Sequence, residues 1–85
     1  MVSCSYIVEH RGSLHIIKVG GNVVSDRRRG VEYGVVIGGP GGDYAFIRFM
    51  DVELRMGNDA LIDMLLDTFS YVLRRGKLIE ARCDG

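Results

Sequence analysis

Apolar and polar residues alternate through the first quarter of the chain. Tyr6-Ile7-Val8-Glu9-His10 and Leu14-His15-Ile16-Ile17-Lys18-Val19 both have the two-residue period of half-buried strands. Gly12-Ser13 lies between them, a Gly-first pair suited to a type II′ hairpin turn. That turn predicts His10 opposite His15, Val8 opposite Ile17 and Tyr6 opposite Val19, all on one face. This face is the expected core. The other face, with Ile7, Glu9, Arg11, Leu14, Ile16 and Lys18, mixes apolar and charged residues, as partner-binding surfaces do.

Residues 20–30 show no sustained period and contain Arg27, Arg28 and Arg29 in a row, so a basic loop is expected, with at most a short extended piece at Val23-Val24. Val31, Tyr33, Val35 and Ile37 share one side of a third strand. Gly38-Gly39-Pro40-Gly41-Gly42 is a turn-forming connection. A fourth strand runs from Asp43 to about Met50, or as far as Met56. Beyond Met50, apolar Val52, Leu54 and Met56 alternate with Asp51, Glu53 and Arg55, a pattern that one long, bent or bulged strand would explain.

The pattern changes to a helix over about 58–75. Asn58 or Asp59 can cap its start, Asp59 and Asp63 suit the positive end of the dipole, Arg74 and Arg75 suit the negative end, and Gly76 is a stop signal. Asp59, Asp63, Asp67, Ser70 and Arg74 form one narrow polar stripe. Leu61, Ile62, Met64, Leu65, Leu66, Phe69, Tyr71, Val72 and Leu73 make an apolar arc wider than a surface helix needs, so a homodimer or higher homo-oligomer is expected. Lys77 to Cys83 is a last strand. The expected fold is α+β, one domain over residues 1–85: an antiparallel four- or five-stranded sheet against one long amphipathic helix, in the order ββββαβ.

Composition narrows the function. The 85 residues hold one core, and 11 basic against 11 acidic residues give zero net charge, which excludes a protein that coats duplex DNA with a broad basic surface. No apolar run reaches the ~18 residues that span a membrane, and the N-terminus does not read as a signal peptide, so no membrane partner and a cytoplasmic location are expected. Nine Arg against two Lys, with no Gln, fit an archaeal, thermophilic origin. Cys4 and Cys83 read either as two separate thiols or as a terminal disulfide, which requires the first and last strands to be neighbours.

The candidate chemistry centres on Asp43-Tyr44-Ala45-Phe46-Ile47-Arg48-Phe49. Tyr44, Phe46 and Arg48 point to one side of this strand. Rings and a guanidinium on an open sheet face can stack bases and meet phosphates in a single strand. The segment resembles the RNP1 motif of RNA-recognition-motif domains. Tyr44, Ala45, Phe46, Ile47 and Phe49 fill its last places, with Arg48 at the free one, while Gly42-Asp43 departs from its first two. The resemblance implies that Tyr44 and Phe46 stack bases. It spans eight residues, and no helix precedes this strand as that family's fold requires. The architecture as a whole is similar to Whirly-like single-strand binders and to archaeal ThermoDBP-related proteins.

These readings predict a single-stranded DNA- or RNA-binding protein with Tyr44, Phe46 and Arg48 as its platform. Tyr33 assists if the third and fourth strands pair, and Arg27, Arg28 and Arg29 contact phosphates. The alternative is a homo-oligomeric interaction or scaffold module that binds no nucleic acid. His10 and His15 lack a third metal ligand, the glycine runs lack the Gly-Lys-Ser/Thr of a phosphate loop, and no nucleophile–base set appears. No cofactor, metal or enzymatic activity is expected.

Overall fold

A computed structural model describes residues 2–84. Six strands follow one another as hairpins: β1 (Ser3–His10), β2 (Ser13–Gly20), β3 (Val23–Arg28), β4 (Val31–Gly39), β5 (Gly42–Phe49) and β6 (Val52–Met56). Helix α1 (Asp59–Arg75) comes next, then β7 (Lys77–Asp84). All neighbouring strands are antiparallel, in the order β6-β5-β4-β3-β2-β1-β7. The fold is therefore α+β as expected, but the sheet has seven strands instead of four or five.

Two strands account for the difference. The expected basic loop is mostly strand β3: it pairs with β2 and β4 from Val23 to Arg28, leaving only Arg29 of the three arginines in a turn. The expected long fourth strand is a hairpin that reverses at Met50-Asp51, so Val52–Met56 pairs back onto Ala45–Phe49. Asp51 is the one turn-favouring residue at this reversal, and Met50 adopts φ 54, a value that favours glycine.

The first hairpin turns at Arg11-Gly12, with φ 52 and 78, the two positive values of a type I′ turn. Tyr6 consequently faces Ile17, Val8 faces His15 and His10 faces Ser13, two residues away from the expected register. A slip of two keeps every side chain on its face, so the expected core face holds.

The helix lies on that face and runs across the strands. Its first half packs Ile62 against Val35 and Ala45, and near its end Val72 packs against Val8 and Ile17. Asn58 Oδ1 accepts the Leu61 N–H at 3.0 Å, closing the N-terminus. At the other end the Gly76 N–H donates to the Val72 carbonyl at 2.8 Å. Gly76 has an ordinary φ of −76 and is needed for space: a Cβ there would meet Val8 and stand 3.0 Å from the Glu9 carbonyl oxygen. This close passage carries the chain to the far edge of the sheet, where β7 joins β1 and Cys83 comes opposite Cys4. The two cysteines form a disulfide, which decides between the two readings of the sequence.

Candidate functional site

On the sheet face away from the helix, Tyr44, Phe46 and Arg48 do share a side. Phe46 is not an open platform. It lies opposite Gly34, is only 6% exposed, and has the Arg48 guanidinium 5.2 Å from its ring centre. Tyr44 is half-buried and has the Arg55 guanidinium 4.7 Å over its ring. Arg48 bonds Glu32 at 2.8 Å and also Glu53, while Arg55 bonds Glu53 at 2.6 Å. Glu53 is held below the usual carboxylate range, first by the Arg48 hydrogen bond and then by that from Arg55. Each ring thus has an arginine against it, and the Arg48 guanidinium is paired within the chain.

Tyr33 does not join them. The third and fourth predicted strands do pair, as β4 and β5, but the register sets Tyr33 opposite Ile47, on the helix side. There its hydroxyl donates to Asp26 Oδ2 at 2.9 Å, and its ring lies 5.7 Å from that of Phe69. Asp26 is 1% exposed and also accepts from His15 Nδ1 at 2.6 Å and from the Ile16 N–H at 3.1 Å. Burial raises the Tyr33 hydroxyl to about 12, and the bond to Asp26 adds to the shift. This network lies between the two apolar clusters and closes on itself, with every buried side-chain polar atom among the described residues partnered. His10 packs edge-on against Tyr71, away from His15, and no metal-ligand cluster occurs among the described residues.

The three consecutive arginines part company. Arg27 is on the face away from the helix, between Ile16 and Glu32; Arg28 is on the helix side and bonds Ser13 Oγ at 3.2 Å; Arg29 occupies the first position of a type I′ turn with φ 52. All three still border one groove of about 470 Å3, with Leu14 and Ile16 in its wall. Among the described ion pairs, Arg27, Arg28 and Arg29 have none.

A second surface comes from the helix ending short of the sheet edge. Ile47, Phe49, Val52, Leu54 and Met56 all face the helix side, yet all are exposed, Leu54 to 65%. Of these, Ile47, Leu54 and Met56 border an apolar groove of about 320 Å3 together with Leu61 and Leu65 of α1. In comparisons with known proteins, no family model, curated protein or solved structure matches this chain.

The strip is not legible in the sequence, where residues 51–56 read as an extension of the strand that starts at Asp43. Val52, Leu54 and Met56 carried the signal, but only a reversal at Met50-Asp51 brings them beside Ile47 and Phe49.

Proposed function

We propose that this protein is a self-associating interaction module whose working surface is the β5–β6 end of the sheet. The observation that carries this reading is the contiguous apolar strip beyond the helix end, from Ile47 and Phe49 to Val52, Leu54 and Met56. Exposed apolar patches of this kind mark association surfaces. The wide apolar arc of α1 points the same way, since Met64, Tyr71 and Leu73 also remain exposed. Sedimentation equilibrium across micromolar to millimolar concentration tests the reading. A Leu54→Lys variant should stay folded and shift the equilibrium toward monomer; a wild-type chain that is monomeric throughout rejects it.

A second reading, binding of single-stranded DNA or RNA, is favoured by the Arg27–Arg29 groove. Three arginines without ion pairs beside apolar Leu14 and Ile16 suit a phosphate backbone with bases laid along the wall. This moves the contact from Tyr44 and Phe46 to the opposite half of the sheet. Arg27→Ala with Arg29→Ala should weaken binding of a labelled oligonucleotide and reduce the salt slope by about 1.4, while Tyr44→Ala should change little. No anisotropy change with the wild-type protein at low salt eliminates it.

A further inference from the structure

Strand β6 is written so that it can pair with itself. A row of facing residues crosses the sheet surface away from the helix, and its members alternate in charge: Arg27, Glu32, Arg48 and Glu53. The row ends at Glu53, on the free edge of β6. Phe49 and Val52 flank a two-residue turn, and such flanking residues form a hydrogen-bonded pair. The backbone groups of Val52, Leu54 and Met56 are therefore turned toward β5, while those of Glu53 and Arg55 face outward, unpaired in the sheet.

We infer that two copies join edge to edge through β6, antiparallel about a two-fold axis at Leu54, into one continuous sheet. The proposal rests on the self-association reading above and names its geometry. In that register Leu54 meets the second copy's Leu54, Val52 meets Met56, and Glu53 meets Arg55. The Glu53–Arg55 pairs are the hydrogen-bonded ones, matching the outward backbone groups, and Leu54 falls at the closely spaced, non-hydrogen-bonded position. The charge alternation of the row continues across the axis, and every apolar side chain stays on the helix side. A one-residue slip would set apolar against charged faces.

The two sheet edges differ in the protection that isolated edge strands carry. The β1–β7 ladder shifts register between Ile7 and Val8, a bulge at the β7 edge. The β5–β6 ladder runs from Ala45–Met56 to Phe49–Val52 without interruption, and β6 contains no proline.

Charge variants of the full chain test the register, with circular dichroism confirming that each is folded. Glu53→Arg alone sets arginine against arginine across the axis, and Arg55→Glu alone sets glutamate against glutamate. Each should weaken the homodimer at least tenfold by sedimentation. Mixed together they should form a heterodimer, since both facing pairs are then complementary. Leu54→Cys should oxidise to a dimer linked 54 to 54, identified by peptide mapping. If the wild type dimerises but the mixture does not associate and Leu54→Cys does not cross-link, the β6 register is overturned while self-association stands. A monomeric wild type overturns both.

Discussion

Gly34 stands opposite Phe46 across the β4–β5 ladder, and the chain leaves no room for a side chain at position 34. A Cβ at Gly34 would collide with the Val24 carbonyl oxygen and approach the Ser25 Cα to 2.8 Å. Both contacts are to backbone, which cannot rotate away. Gly34→Ala should therefore cost about 1–3 kcal/mol or more, as overpacking does, measured by urea unfolding.

Phe46→Ala tests the other half of the same relationship. A ring this buried should cost about 3–5 kcal/mol on removal, which for so small a domain approaches global unfolding. Retained stability in the variant would show instead that the ring is a free platform.

The Asp26 network gives a prediction in alkali. Tyr33 has its hydroxyl raised to about 12 from an ordinary value near 10, chiefly by burial. The folded state favours the protonated phenol, so this contribution is complete below pH 10 and is lost as pH rises toward 12. Tyr33→Phe should lower stability near neutrality by roughly 1.5–3 kcal/mol, because a hydrogen bond to a carboxylate is removed. Its unfolding midpoint should also fall less steeply than the wild type's between pH 10 and 12.

The disulfide closes nearly the whole chain, its cysteines separated by 79 residues. On the chain-entropy account this contributes about 4.5 kcal/mol through the unfolded state. Cys4→Ser should lower the denaturation midpoint by a corresponding amount. Addition of reductant should lower the wild type to match it and leave the variant unchanged.

Met50 is the bulky residue of the β5–β6 turn, 81% exposed and held at φ 54. A side chain there pays for left-handed geometry without burying itself. Met50→Gly should raise stability by about 1 kcal/mol in thermal or urea unfolding, offset in part by the greater freedom of glycine when unfolded.

Local chemistry alone determined the helix over about 58–75, a cap at Asn58 or Asp59, and the face that each residue of the first hairpin occupies. These follow from the 3.6- and 2-residue periods and from groups a few residues apart. Register lay beyond that reach, because a turn at Arg11-Gly12 instead of Gly12-Ser13 shifts the pairing by two residues while leaving the faces unchanged. Strand β3 was hidden for a related reason. Asp26 and the arginines look like loop residues until His15, 11 positions back, and Tyr33, seven ahead, supply the partners that let Asp26 be buried. Tertiary structure also decided the burial of Phe46, which sits opposite Gly34 with the Arg48 guanidinium against its ring. The same holds for the β6 strip: its alternation is local, but its exposure follows from where a 17-residue helix ends above a seven-stranded sheet.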